Sequence, residues 1–346
     1  MRCAVQKLRG LLVFPLIFLA TEVAAFENQS PLLDPPYQNM QPPLLWDGEE
    51  LLPLTKLWRV HPLSNNLAEL IGLQTPVKSQ ERRGICSVFS AAGIFESILK
   101  RKSRSDIDVS ENYLAYIVIS KILNGRGSGS TASENFRAFR QRGGLEEGFW
   151  PYEGQDWTVP SLAGSDLEKR EEVCGGLSGK KQEICFRTHR DPDRDPFKAP
   201  AKNFERVYGT QSLEARVIPT QNEAQLRLSE NEPVLLELTF FYGAWNHRKM
   251  LDVGLGEPDF EKWVKGEVGI PTVDDINLSK LKPAGHSIVL VGYDTSRKVY
   301  FFKNSWGTAS FGMESDLLGP GTTPGYGTIP FEYAHRFGTF YRVVDQ

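Results

Sequence analysis

The stretch Gln80-Glu-Arg-Arg-Gly-Ile-Cys86-Ser-Val-Phe-Ser-Ala puts a cysteine at the start of an apolar pattern with helical spacing, six residues after a glutamine. A thiolate is a strong nucleophile, and the positive end of a helix lowers the pKa of a thiol placed there. A glutamine amide near it would donate to a developing oxyanion, together with the backbone N–H of Cys86. Such chemistry also needs a histidine to hold the proton and a group that fixes the imidazole tautomer. His286 heads the apolar run His286-Ser-Ile-Val-Leu-Val-Gly-Tyr, and Asn304 closes the run beginning at Val299. The turn Asp294-Thr-Ser-Arg between the runs predicts a hairpin that sets His286 and Asn304 side by side at one edge. Trp306, two residues after Asn304, would lie on the same face and shield that hydrogen bond from water. His61, His189, His247 and His335 head no such strand. Taken alone, Cys86 reads first as a buried structural thiol; the set of four residues gives it a catalytic reading.

Elements that could position these groups follow from periodicity. Val88, Phe89, Ala92, Phe95, Ile98 and Leu99 recur at helical spacing from Cys86 to about Arg101. A second helix begins after Ser110 as N-cap, and a third runs from Ser133 to Arg140 and ends at Gly143-Gly144. Asn124 to Ser130 is a Gly/Ser loop. Residues 154–203 are polar and charged and read as a long loop or insertion. Glu223 to Leu228 is a short helix, and the run from Pro233 to Phe241 is a strand. Residues 243–283 form another polar, turn-rich stretch. Strands follow at His286–Tyr293, from Val299, and from Thr339. Helices first and strands afterwards predict an α+β chain with two lobes.

Four cysteines bear on compartment and pairing. Arg2, Lys7 and Arg9 precede the apolar run Leu11 to Ala20, and Val23-Ala24-Ala25 offers small residues for cleavage before Phe26; residues 1–25 read as a secretory signal that removes Cys3. A membrane anchor is the competing reading, but the run falls short of the about 20 residues a span needs. Export makes a disulfide the natural use of Cys174 and Cys185, which flank Gly-Gly-Leu-Ser-Gly, and leaves Cys86 outside it. A metal site using His189 is the alternative, with three nearby ligands and no fourth. Residues 26–70, rich in Pro and Leu, read as a leader or short pro-segment. The 346 residues carry a formal net charge of −3, with 24% charged and 40% hydrophobic side chains. That balance argues against nucleic acid or an anionic membrane as partner. Asn28-Gln-Ser and Asn277-Leu-Ser fit the N-glycosylation pattern.

Four motifs in order resemble the papain-family cysteine peptidases. Pro76-Val-Lys-Ser-Gln80 through Cys86-Ser-Val-Phe-Ser90 resembles their nucleophile segment, Gly285-His286 through Gly292-Tyr293 their histidine segment, and Lys303-Asn304-Ser305-Trp306-Gly307 their asparagine segment. Gly143-Gly-Leu-Glu-Glu-Gly-Phe-Trp-Pro151-Tyr152 resembles the run before their Tyr-Pro-Tyr turn. Gly325–Pro330 and Phe340-Tyr-Arg-Val resemble their C-terminal strands.

The resemblance implies a two-lobe fold over residues 71–346. It has a helical lobe at about 80–205, a β-barrel-like antiparallel lobe at about 206–346, and the active site in the cleft between them. It implies Cys86 as nucleophile, His286 as general acid/base, Asn304 as orienter and Gln80 as oxyanion donor, with no metal or organic cofactor. Gly129 and Ser130 fall where the family binds the substrate backbone, and Gly285 and Trp306 would also line the cleft. Peptide or protein substrates, and protein inhibitors of that family, are the partners it implies.

Three departures stand out. Ser87 replaces the family's tryptophan, Arg83 replaces its bridged cysteine, and Ser130 replaces its second paired glycine, which would tighten the non-primed cleft. A catalytically silent binding protein on the same fold is the alternative. So is exopeptidase, amidase or transpeptidase chemistry from the same Cys–His pair.

Overall fold

The computed structural model describes residues 66–194 and 212–345. The expected signal at 1–25, leader residues 26–65 and the Asn28 sequon lie outside the described residues. Helix α1 (Leu67–Gly72) packs on the sheet and leads into the candidate nucleophile segment. Helix α2 (Cys86–Ser103) is buried on every side from Cys86 to Leu99, as an apolar, small-residue helix at a domain centre must be. Its small residues allow close approach: a Cβ on Gly93 would lie only 3.7 Å from Val289. Lys100, Arg101 and Lys102 occupy its last turn, where cations complement the negative end of the helix.

Helix α3 (Glu111–Ile117) starts where Ser110 Oγ accepts the Tyr113 N–H at 3.1 Å, and continues as one π-helical turn over Val118–Ile122. Helix α4 (Ala132–Arg142) is opened by a capping box between Thr131 and Glu134. It stops at Gly143, whose φ of +70° favours glycine.

Residues 154–194 differ from the long loop expected. They contain α5 (Ser165–Cys174) and α6 (Gly179–Thr188), a helical hairpin closed by the Cys174–Cys185 disulfide. Trp157 joins the two half-cystines in a small separate core. A hairpin stapled this way needs few apolar side chains, so its periodicity is faint in the sequence.

Strand β1 (Leu213–Ile218), helix α7 (Gln221–Ser229) and strand β2 (Val234–Thr239) follow. The polar stretch 243–283 is more structured than expected. It holds a 3₁₀ segment (Arg248–Val253), α8 (Phe260–Lys265) and α9 (Val273–Ser279). Asp275 pins it by accepting the Gly243 and Ala244 N–H groups at 2.9 and 2.7 Å. Strands β3 (Gly285–Asp294), β4 (Val299–Lys303) and β5 (Tyr326–Pro330), helix α10 (Phe331–Phe337) and strand β6 (Gly338–Asp345) complete the chain.

Among the described residues the strands form one antiparallel sheet ordered β1-β6-β2-β3-β4-β5. This corrects the barrel-like expectation: the sheet does not close, because the C-terminal strand β6 inserts between β1 and β2 and leaves β1 and β5 apart as its outer strands.

The helical and strand regions meet across buried charge. Lys78 Nζ lies 2.7 Å from both Glu96 Oε1 and Glu111 Oε1 and 2.5 Å from Asp108 Oδ1. Lys303, at the end of β4, donates to the Thr75 carbonyl at 2.8 Å. Thr75 Oγ1 in turn donates to Glu96, so one polar chain joins the two regions directly behind Asn304.

Candidate active site

Antiparallel register explains how two residues eighteen apart meet. Val289 pairs with Lys303; carried three residues further, the same register puts Trp306 opposite His286 and Asn304 diagonally across from it. His286 Nε2 and Asn304 Oδ1 are 2.9 Å apart, and the Ser305 N–H donates to the same oxygen at 2.9 Å. Two donors therefore meet one acceptor. Nε2 carries the ring proton, and Nδ1 is the basic nitrogen. Nδ1 is buried and makes no hydrogen bond to the described residues. The Asn304 backbone is fixed as well, its N–H donating to the Gly325 carbonyl at 3.1 Å. Gly325 holds φ +83°, and a Cβ there would come within 2.6 Å of Val77, so only glycine fits this approach.

Aromatic rings enclose the imidazole. Trp306 stacks on it with centroids 4.6 Å apart, and Trp245 meets it edge-on at 5.1 Å. Trp263 stacks on the far side of Trp306 at 5.4 Å, and Phe240 presents an edge to His286 at 5.9 Å. Burial pulls the His286 imidazolium down to about 4, against the upward pull of the Asn304 bond. Trp306 was expected from its spacing to Asn304. Trp245 and Trp263 were not: they are lone aromatics in a turn-rich stretch, and tryptophan in such a setting was the available signal.

The nucleophile segment is bound to the asparagine segment by its backbone. Gln80 N–H donates to the Ser305 carbonyl at 2.8 Å, and Gly307 N–H to the Lys78 carbonyl at 3.1 Å. The Gln80 side chain is fully buried. Ser305 Oγ donates to its Oε1 at 2.7 Å, and its Nε2 donates to the Arg83 carbonyl at 2.9 Å. Six residues on, Cys86 is the first residue of α2 and lies outside the disulfide. No acidic residue stands in that first turn to compete for the helix's positive end. Cys86 and His286 are both fully buried.

The cleft-lining expectations divide. Gly285 begins β3 opposite Thr239 and is buried. Gly129 is half-buried. Ser130 is buried with its hydroxyl turned inward, donating to Asn135 Oδ1 at 2.7 Å. That uses its only proton, so at the 2.9 Å contact between the two hydroxyls Ser87 is the donor. Asn135 Nδ2 closes the ring on the Ser87 carbonyl at 2.9 Å. The two serine departures thus form one internal network. The Ser130 side chain packs into the helical region instead of narrowing a cleft.

No protein-family model matches the chain. A stretch of 86 residues is 38% identical to cathepsin K of Mus musculus and covers 25% of each chain. The chicken (Gallus gallus) cathepsin K is 37% identical over the same length. The chain thus spans about a quarter of the length of the curated relatives it matches. Xylellain, a cysteine protease from Xylella fastidiosa, has a crystal structure that superposes with a TM-score of 0.52 at 17% identity. The superposition covers 83% of this chain and 91% of that one. The fold is that of the papain-like cysteine peptidases.

Proposed function

We propose that this chain, folded as papain-like cysteine peptidases are, is an exported thiol peptidase. The observation that carries the reading is the His286–Asn304 bond of 2.9 Å, roofed by Trp306 and joined to Gln80 through Ser305. Cys86 thiolate attacks the peptide carbonyl. The oxyanion accepts N–H bonds from the Gln80 amide and the Cys86 backbone. His286 Nδ1, protonated by the thiol, gives that proton to the leaving amine and then takes one from the water that hydrolyses the thioester. Asn304 keeps Nε2 in the donor state throughout. The backbone at Gly129–Ser130, with Gly285 and Trp306, would hold the substrate in an extended mode. The chain supplies every group in this sequence of steps, and protein inhibitors of papain-like enzymes are further expected partners.

An epoxide-type thiol alkylator should label Cys86 and abolish cleavage of a fluorogenic peptide, and Cys86→Ala should be inactive. Full activity in that variant rules the reading out.

Export rests on the signal-like residues 1–25 and on the disulfide, with no helix among the described residues long and apolar enough to cross a membrane. N-terminal sequencing of the secreted protein should begin at Phe26.

One observation favours a second reading, a binding protein that kept the fold: with Cys86 and His286 both fully buried, substrate reaches the thiol only after part of the surrounding structure moves. Native protein that resists alkylation at Cys86 while binding peptide supports that alternative.

A further inference from the structure

We propose that Arg83 is a positioning residue: it holds the oxyanion donor Gln80 in place and couples the disulfide-closed hairpin α5–α6 to the active site. The inference rests on the peptidase reading above and goes beyond it, because Arg83 stands where the resembled family has a cysteine.

Gln80 and Arg83 are locked in one turn. The Arg83 N–H donates to the Gln80 carbonyl at 3.1 Å, and Gln80 Nε2 donates to the Arg83 carbonyl at 2.9 Å. The amide that would meet the oxyanion therefore moves with the Arg83 backbone. That backbone is anchored by its own guanidinium, which reaches three separate parts of the chain. Nη1 donates to Asn112 Oδ1 in α3 and to the Glu153 carbonyl at 3.0 Å, and Nη2 donates to the Arg187 carbonyl in α6 at 2.9 Å. The guanidinium also lies over the Tyr152 ring, 5.3 Å from its centroid, and the Tyr152 hydroxyl donates to the Gln80 carbonyl at 2.7 Å. Opposite these ties, Ser305 Oγ fixes Gln80 Oε1. The amide plane is held from two sides, by Arg83 and by the segment carrying Asn304.

Charge pairing does not account for Arg83. It is 4% exposed, and these hydrogen bonds all end on neutral oxygens. Burying a cation whose hydrogen bonds end on neutral groups costs stability, and its charge meets a carboxylate only indirectly, as a minor pull on Glu153. What the residue supplies in return is geometry, since a guanidinium presents donors in a rigid fork that can bind several fixed carbonyls at once. Lysine keeps the charge but lacks the fork.

The test compares Arg83→Lys, Arg83→Met, Gln80→Ala and the double variants in the full mature protein. It reads kcat and KM on a fluorogenic peptide, the thermal midpoint, and the rate of Cys86 alkylation by iodoacetamide, which needs no oxyanion donor. Gln80→Ala should lower kcat by about 10²-fold, as loss of an oxyanion donor does. Arg83→Lys should lower kcat at least about tenfold, with KM and the alkylation rate within about twofold of wild type. Each Gln80–Arg83 double variant should be no slower than Gln80→Ala alone, the mark of two residues acting as one unit. Multiplicative losses in the double variants, or a kcat that merely tracks the folded fraction, overturn the proposal. So does loss of the fold in both Arg83 variants, which would make the residue purely structural. Wild-type protein that alkylates at Cys86 yet cleaves no peptide overturns the peptidase reading itself. Active wild type with additive variants overturns the role of Arg83 alone.

Discussion

His286 and Asn304 are joined Nε2 to Oδ1 at 2.9 Å, and the Ser305 N–H on the same oxygen makes Asn304 an obligatory acceptor. The asparagine thus selects the tautomer as well as the ring orientation. Asn304→Ala should leave the ring stacked on Trp306 yet free to exchange its proton between nitrogens. Loss of that alignment is expected to cost about 10²-fold in kcat/KM, with little change in thermal midpoint. Asn304→Asp should do less harm, because a carboxylate still accepts from Nε2. Equal activity of Asn304→Ala and wild type would show that the ring needs no orienter.

Four buried histidines set the acid stability. Burial lowers His189 and His286 to about 4, and His247 and His335 to about 3. Their ordinary value is 6.5. Between these limits the unfolded chain binds protons that the folded chain refuses, so stability falls as pH drops from 6.5 towards 4. Glu111, pushed up to about 8 by burial against the pull of Lys78, opposes this by one proton at most, and four histidines outweigh it. Denaturant midpoints between pH 7 and 5 should fall steeply, on the order of 1 kcal/mol per pH unit for each histidine. The variant His335→Gln should flatten the curve. A midpoint that stays level over this range would count against buried neutral imidazoles.

The candidate site was more legible in the sequence than the scaffold around it. His286 lies on β3 and Asn304 directly follows β4, two apolar strands joined by a short turn, so local pattern alone brought them together. Cys86 opens a helix whose buried positions repeat at helical spacing. What escaped depends on distant parts of the chain. Helices α5 and α6 bury few apolar side chains, chiefly Trp157, the disulfide and Ile184, leaving polar faces that look like loop. Trp245 and Trp263 lie in or beside elements too short to show a period, yet both are fully buried against the Trp306 cluster. The open sheet follows from β6 entering between β1 and β2, a long-range pairing that no local pattern encodes.

The Ser87–Ser130 contact of 2.9 Å makes two departures from the resembled family one unit. Ser87 is fully buried, so Ser87→Trp would force a large ring into the space held by Ser130 and Asn135. Overpacking of this kind costs about 1–3 kcal/mol or more, read as a fall in thermal midpoint. Ser130→Gly alone should cost less, and in the double variant it should recover part of the loss by making room. Strictly additive midpoints would mean that the two positions are not coupled.

Lys78 is the last test of how the two regions hold together. Its ammonium bridges Glu96 and Glu111, whose side chains are 1% and 2% exposed. Neither carboxyl group reaches solvent, so removing the cation leaves both without their ionic partner. Lys78→Met should therefore cost about 3–5 kcal/mol, as breaking a buried pair from one side does. Replacing all three members, as Lys78→Met with Glu96→Gln and Glu111→Gln, should cost less than Lys78→Met alone, because no net charge is then left without a partner. Glu96 also accepts the Thr75 hydroxyl and the Val109 N–H, so glutamine there keeps only part of its bonding. Chemical denaturation of the three forms separates the outcomes. If the triple variant is no more stable than Lys78→Met, the cluster contributes through hydrogen-bond geometry and packing, and charge balance is not what joins the helices to the sheet.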